Sequence, residues 1–287
     1  MEPSAPSDFG ALAPGPLDRA VIALTSGLPS NWLGQRLAIG LRRITTMRLD
    51  HPAGALDVVR WGLRVRLHPR DNGCEKNLLF TPQMYEAVEL AQLAAEIARV
   101  RAERRGFVFV DIGANVGLFS LFAAACAGPG ARILAVEPGA GNFARLQFNI
   151  AANPGLPIRP IRTALGDEPG ELAVDLHRGD RGGTRTRKVD GTDALRVQAQ
   201  TLAQLVQEQR IDGIDAMKID VEGAEELILL PFFQNVRESL WPRLILIEDA
   251  GDAWATDLIS FLGERGYCVT ARSKLNVMLH RMPNGSR

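Results

Sequence analysis

From about residue 107 onwards, the pattern of apolar and polar residues predicts strands and helices in alternation. Short apolar runs of strand length are each followed by an amphipathic stretch of helical spacing. The predicted strands cover 107–111, 132–137, 157–164, 215–220, 243–248, 267–271 and 275–280. The predicted helices cover 117–127, 140–153, 201–209, 223–233 and 253–265. Repeated strand–helix units indicate an α/β fold with a mostly parallel sheet that helices cover on both faces.

The residues before this alternation follow a different pattern. Residues 1–16 are rich in Pro, Ala, Ser and Gly, which predicts a disordered N-terminus. Residues 17–104 predict an extension or cap: two helical stretches before residue 48, a strand pair from 57 and a helix over 82–104. The remaining residues, 105–287, form the predicted main domain. Arginines in the first two helices leave a membrane-surface helix as an alternative to plain packing on that domain.

The composition excludes several classes of protein. The 287 residues include 33 Lys and Arg and 33 Asp and Glu, so the net charge is zero. The chain therefore lacks the excess of positive charge that would favour nucleic acid as its main partner. Three cysteines without a CxxC pair predict a reducing compartment and no structural zinc. The N-terminus lacks the pattern of a signal peptide, and no apolar run is long enough for a membrane helix. We therefore expect a soluble, cytoplasmic protein.

The stretch FVFVDIGANVGLFS (107–120) predicts a cofactor-binding turn. Gly113 permits a tight turn and Gly117 a close helix–strand contact. Glu137 follows the next strand, where a carboxylate accepts bonds from two ribose hydroxyls. Asp111 would repel the pyrophosphate of NAD but suits the cationic S-adenosylmethionine. The pattern favours a methyl donor. A nicotinamide oxidoreductase and a non-catalytic nucleoside-binding protein of the same fold remain alternatives.

Four predicted strands end in an acid, and parallel strands bring these ends to one edge of the sheet. The four acids are Asp111, Glu137, Asp220 and Glu248. Side-chain alternation puts Lys218 and Asp220 on one face of their strand, with Glu222 just beyond. Asp220 and Glu222 are either a general base and its neighbour or acids that stabilise a helix N-terminus.

Four motifs in order resemble the FkbM family of S-adenosylmethionine-dependent methyltransferases. They are FVDIGANVGLFS, ILAVEPGAGNFARLQFNI, TALGDEPG and AMKIDVEGAEELIL, and the resemblance covers about residues 65–280. It implies a class I methyltransferase fold, Rossmann-like, with seven strands and the last one antiparallel. It further implies that the methionine end of the cofactor is lined by Asp111, Gly113, Asn115 and Gly117. The residues implied for the adenosine end are Glu137, Pro138, Asn142, Phe143 and Asp167.

The family resemblance implies O-methylation of a hydroxyl on a sugar, glycan or secondary metabolite. We expect Asp220 to act as the base, with Glu222 second, because a carboxylate in reach of a hydroxyl can accept its proton. Lys218 is expected to position the acceptor oxygen and Glu248 to bind the acceptor. No metal site is predicted, although Asp220, Glu248 and His280 form a possible magnesium set.

The segment 177–191 is unusually basic for a neutral chain. Arginine pairs two oxygens of a phosphate or carboxylate at once. The sequence therefore predicts that Arg181, Arg185 and Arg187 recognise an anionic group on the acceptor, the alternative being a solvated surface loop.

Overall fold

The computed structural model describes residues 8–49, 54–176, 184–186, 195–251 and 254–282. The described chain forms two compact units. One contains the residues up to 87 together with 151–154, and the other contains 88–150 and the described residues from 155 onwards. The predicted domain boundaries at residues 16 and 104 stay predictions.

The first unit combines helices with a hairpin. Its elements are α1 (Pro16–Ser26), α2 (Trp32–Arg48), β1 (Leu56–Arg60), β2 (Leu63–Leu67) and α3 (Gly73–Phe80). The two predicted helices and the strand pair are confirmed. The hairpin turns through Trp61 and Gly62, both with positive φ, as a tight two-residue turn requires.

Side chains fix the ends of these elements. Asn31 caps α2 by accepting the Gly34 N–H, and Asn72 caps α3 by accepting the Glu75 N–H. Residues 8–15, which the sequence places in a disordered segment, bond to the hairpin. There Asp57 accepts the N–H of Gly10 at 2.7 Å.

The second unit contains the alternating strands and helices. Its helices are α4 (Ala87–Ala102), α5 (Leu118–Ala127), α6 (Ala140–Ala151), α7 (Leu202–Glu208), α8 (Glu225–Asn235) and α9 (Leu258–Gly263). Its strands are β3 (Val108–Ile112), β4 (Arg132–Val136), β5 (Ile158–Ile161), β6 (Ala164–Leu165), β7 (Gly170–Leu176), β8 (Thr184–Thr186), β9 (Leu195–Gln200), β10 (Ala216–Ile219), β11 (Leu244–Glu248), β12 (Tyr267–Arg272) and β13 (Asn276–Arg281). A short 3₁₀ helix covers Glu238–Leu240.

Seven of these strands form one sheet in the order β12-β13-β11-β10-β3-β4-β5. The pairs from β11 to β5 are parallel, and β13 is antiparallel to both of its neighbours. This confirms the predicted class I methyltransferase fold. Every position of β10 is buried, as expected for a central strand covered on both faces. The strand order brings the carboxyl ends of β3, β4, β10 and β11 to one edge.

Three predicted segments differ from the structure. The helix predicted over 82–104 covers only Ala87–Ala102, because Glu86, with φ +45°, is not helical. Residues 165–197 are polar and rich in Gly and Arg, which predicts a hairpin or a loop, but their described part contributes to a separate four-stranded sheet in the order β6-β9-β7-β8. The helix predicted over 253–265 begins only at Leu258, because Asp257 accepts the Ser260 N–H and caps it there.

Candidate active site

The turn after β3 is built from residues with positive φ. Gly113 has φ +76°, Asn115 +54° and Gly117 +87°. A side chain on Gly113 would collide with the carbonyl oxygen of Asp220, and one on Gly117 would collide with Leu146. The two glycines therefore allow the ends of β3 and β10 to approach and let α6 pack against the turn.

Asp111 lies under this turn and is 1% exposed. Its Oδ2 accepts the Ser120 hydroxyl at 2.6 Å and the Ser120 N–H at 3.1 Å. Because Gly117 has no side chain to cap α5, Asp111 supplies the acceptor from the neighbouring strand. Its Oδ1 is buried, and among the described residues it has no hydrogen-bond partner. This oxygen can accept a donor from a ligand.

Burial raises the pKa of Asp111, and the Lys218 ammonium acts in the opposite direction. Lys218 lies directly across from Asp111 in the register of β10 and β3. A buried carboxylate beside a buried ammonium is a fitting surrounding for a ligand that carries its own positive charge, and an unfitting one for a pyrophosphate.

Glu137 follows β4 and is 2% exposed. Its two oxygens each accept a backbone N–H at 2.9 Å, one from Asn115 and one from Gly139. Burial raises the pKa of Glu137 to about 7. The two amides hold the carboxylate in one orientation, and each oxygen keeps a further lone pair for a hydroxyl. This arrangement fits the role predicted for Glu137 toward a ribose.

The other residues predicted for the adenosine end lie close to Glu137 in sequence, apart from Asp167. Pro138 and Phe143 are half-buried and Asn142 is buried, at the start of α6. Asp167 is exposed in the turn between β6 and β7. Their roles in binding the cofactor stay predictions.

Lys218 and Asp220 form an ion pair at the end of β10. The Nζ–Oδ2 distance is 2.7 Å, and the side chain of Lys218 is 9% exposed while that of Asp220 is 39% exposed. The ammonium also lies 5.0 Å from the ring centre of Phe119. Asp220 does not cap α8, because that helix begins at Glu225 without a side-chain cap. The helix-capping alternative for Asp220 is therefore wrong.

Glu248 ends β11, the neighbour of β10 in the sheet, and lies beside Asp220 at the sheet edge. Its burial, followed by the charges of Asp220, Glu225 and Glu222, raises the pKa of Glu248 to about 8. The protonated form of Glu248 is therefore favoured next to the Asp220 carboxylate. The structure thus brings together Lys218, Asp220 and Glu248, as the sequence predicted for the strand ends.

Glu225 is a site residue that the sequence interpretation missed. It is fully buried, and its Oε1 accepts the N–H groups of Val221 and Gly223 at 3.0 and 3.2 Å. Its Oε2 accepts the Trp254 indole N–H at 2.8 Å. Glu222, with φ +57°, lies in the segment that Glu225 holds. Glu225 therefore positions the chain that follows Asp220.

The structure does not place His280 with the strand-end acids. His280 pairs with Leu244 at one end of β11, whereas Glu248 pairs with Asn276 at the other. The alternative of a magnesium set with His280 is therefore wrong. Among the described residues, no group of three or more His, Cys, Asp or Glu side chains is placed to hold a metal ion.

The three arginines predicted to bind an anionic acceptor are only partly within the described chain. Arg181 and Arg187 lie outside the described residues. Arg185 belongs to β8, where it pairs with Asp175 of β7. In the described part of the chain, none of the helices has the length and apolarity to cross a membrane.

Comparison with known proteins agrees with this geometry. The family model described as the methyltransferase FkbM domain matches residues 111–269, more than half of the chain. No curated protein matches the sequence.

Among solved structures, the human methyltransferase 10 domain containing protein is 13% identical with a TM-score of 0.46, over 85% of this chain and 96% of that one. Precorrin-6y C5,15-methyltransferase from Geobacter metallireducens is 14% identical with a TM-score of 0.40, over 71% and 90%. An S-adenosylmethionine-dependent methyltransferase from Agrobacterium tumefaciens is 13% identical with a TM-score of 0.45, over 82% and 72%.

The matched range begins at Asp111 and includes Glu137, Asp220 and Glu248. The unpartnered Asp111 oxygen and the doubly held Glu137 fit S-adenosylmethionine, the cofactor of this family, and the match excludes the nicotinamide alternative. The chain belongs to the FkbM family of S-adenosylmethionine-dependent methyltransferases.

Proposed function

We propose that this methyltransferase acts on a hydroxyl group, with Asp220 as the proton acceptor. The observation that carries the proposal is the geometry of Asp220: its carboxylate is partly exposed at the sheet edge, while the Lys218 ammonium holds it in one orientation. A carboxylate that is oriented and still open to a ligand is what deprotonation of a hydroxyl requires.

The other end of the site holds the cofactor. Asp111 offers its free oxygen to the cationic methionine end, and Glu137 offers both oxygens to the ribose. Gly113, Asn115 and Gly117 shape the turn between them, and Pro138, Asn142, Phe143 and Asp167 are assigned to the adenosine. When bound, S-adenosylmethionine supplies a methyl group that its sulfonium has already activated.

The proton of the acceptor hydroxyl passes to Asp220 as the oxygen becomes a nucleophile. The Lys218 ammonium donates a hydrogen bond to the Asp220 carboxylate at 2.7 Å and holds it in one orientation. Glu248, neutral near pH 7, adds no second negative charge beside it. Glu222 is assigned as a second acceptor because it follows Asp220 in the segment that Glu225 holds. Alignment of the hydroxyl contributes as well, and correct orientation is worth several kcal/mol in such reactions.

The charges at this edge of the sheet favour an acceptor molecule that presents neutral hydroxyl groups to it. Asp220, Glu222 and Glu225 are acids, the raised pKa of Glu248 favours its neutral form, and Lys218 is the basic residue among them. Because a polyanion would be repelled there, a sugar, glycan or secondary metabolite fits better than nucleic acid. An anionic group farther from the reacting hydroxyl would be bound by Arg181, Arg185 and Arg187, as the sequence predicts.

The proposal is tested with labelled S-adenosylmethionine and a panel of glycan and metabolite extracts. We expect label to enter a product in a linkage that resists mild base, as a methyl ether does and a methyl ester does not. Label found only on nitrogen, carbon or a carboxyl group would contradict O-methylation of a hydroxyl. No transfer to any extract, with S-adenosylhomocysteine still bound, would favour the non-catalytic alternative.

A further inference from the structure

Helix α2 has an exposed face that no part of the sequence-predicted function uses. Its 17 residues extend about 25 Å and include four arginines and no acid. Gly34, Ala38 and Thr45 are buried along one side of the helix. The opposite side presents large apolar side chains to solvent: Trp32, Leu33, Leu37, Ile39, Ile44 and Met47.

The exposure of these side chains is high. Trp32 is 70% and Met47 is 77% exposed, and Leu33 and Leu37 are 48% and 49% exposed. Single exposed apolar residues are common on protein surfaces, but six along one helix face form an apolar stripe, which Arg36 and Arg43 interrupt. At 100° per residue, all six apolar residues fall within the same half of the helix circumference.

Arginines lie within and beside this stripe. Arg36, Arg43 and Arg48 are exposed on the same half of the helix, and the Arg36 guanidinium lies 5.9 Å from the ring centre of Trp32. Arg42 instead points toward α3, where it donates to Asn77. The chain as a whole has no net charge, so this face is a local concentration of positive charge.

The chemistry of the face distinguishes between possible occupants. A second copy on the same face would bring arginines against arginines, with no acid of α2 to compensate them. A nucleic acid would pair with the arginines but leave the apolar stripe against phosphates. An anionic lipid surface offers phosphates for the arginines and an acyl boundary for Trp32 and the aliphatic side chains.

We propose that the exposed face of α2 binds the surface of membranes that contain anionic lipids, with the helix lying in the plane of the interface. Trp32 and the aliphatic stripe enter the headgroup boundary, and Arg36, Arg43 and Arg48 contact lipid phosphates. This interaction is peripheral, and it is independent of the proposed acceptor chemistry.

The test is sedimentation of the full chain with vesicles of phosphatidylcholine, alone or mixed with phosphatidylglycerol in equal parts. We expect binding to the mixed vesicles, weaker binding to the neutral ones, and loss of binding as salt rises. The variant R36Q/R43Q/R48Q should bind mixed vesicles at least about tenfold more weakly, because each arginine near an anionic surface contributes roughly fivefold.

The apolar part of the proposal needs a second variant with a matched control. L33Q/L37Q/I44Q removes three exposed apolar side chains of α2 and should also lose most of the binding. V269Q/L275Q/M282Q removes three comparably exposed apolar side chains elsewhere and should bind like the parent chain. Glutamine is a good helix former, so α2 itself is retained, which circular dichroism verifies.

Three results would overturn the proposal. The first is failure to bind mixed vesicles at low salt. The second is equal loss in L33Q/L37Q/I44Q and its control, which would mean nonspecific adsorption. The third is a dimer in solution that L33Q/L37Q/I44Q dissociates, because the stripe would then be an interface between copies.

Discussion

The two pairs of strand-end acids are held in different ways. Asp111 and Glu137, at the proposed cofactor end, are almost fully buried and are oriented by N–H groups of α5 and of the neighbouring turns. Asp220 and Glu248, at the proposed acceptor end, are partly exposed, and the Lys218 ammonium orients Asp220. The first pair suits binding, which needs a fixed shape. The second suits proton transfer, which needs a group that can change its protonation state.

This contrast gives its largest expected effect at Asp220. Asp220→Asn keeps the shape of the side chain but removes its capacity to accept a proton. We expect methyl transfer to fall by about 10²–10⁴-fold, the usual contribution of a general base. Single-turnover rates with labelled methyl donor measure the change. Glu208→Gln, an exposed acid on α7, serves as the control. Turnover near the parent value would assign Asp220 a structural role only.

A second prediction concerns Glu225, which is buried like Glu137 but lies at the acceptor end. Glu225→Gln leaves one oxygen to serve three N–H donors, so at least one buried donor loses its partner. The free energy of unfolding should fall by about 1–3 kcal/mol. Urea unfolding measures the loss, with Glu264→Gln as an exposed control. An unchanged midpoint would show that the segment after Asp220 is held by other contacts.

A third prediction concerns the pH dependence of stability. The pKa of Glu248 rises to about 8 and that of Glu137 to about 7 on folding, from an ordinary value of 4.5. At pH values between the unfolded pKa of 4.5 and the raised folded pKa values, the folded chain therefore binds more protons than the unfolded chain. The free energy of unfolding should decrease as pH rises from about 5 to about 8.

Glu248→Gln should reduce that slope, because it removes the group with the higher pKa of the two. Urea unfolding at a series of pH values compares it with the parent chain and with Glu208→Gln. The same slope in all three chains would mean that Glu248 does not carry its proton into the folded state.

The seven-stranded sheet was predictable because its central strands β3, β4, β10 and β11 are almost fully buried and form apolar runs between helices. The small sheet from β6 to β9 was not, since polar residues dominate the segment and its pairing depends on contacts distant in sequence. The proximity of two strand-end acids was also predictable: parallel register places Asp220 beside Glu248 without any information from side chains.

Other features depended on local geometry that a pattern does not contain. Ser120 bonds to Asp111 only because Gly117 leaves α5 without a side-chain cap. Glu225 reaches back to Val221 and Gly223 through a turn that contains positive φ angles. The position of His280 relative to the strand-end acids could not be predicted, because the register of an antiparallel strand cannot be read from its alternation alone.

The central claim is that the buried pair binds the cofactor and the partly exposed pair does not. Calorimetric titration with S-adenosylhomocysteine tests it directly in Glu137→Gln and Asp220→Asn. We expect Glu137→Gln to lose about 1.5–3 kcal/mol of binding free energy, the usual value for hydrogen bonds to a charged group. Asp220→Asn should bind like the parent chain. Equal losses in both variants, or a loss confined to Asp220→Asn, would contradict the division of the site.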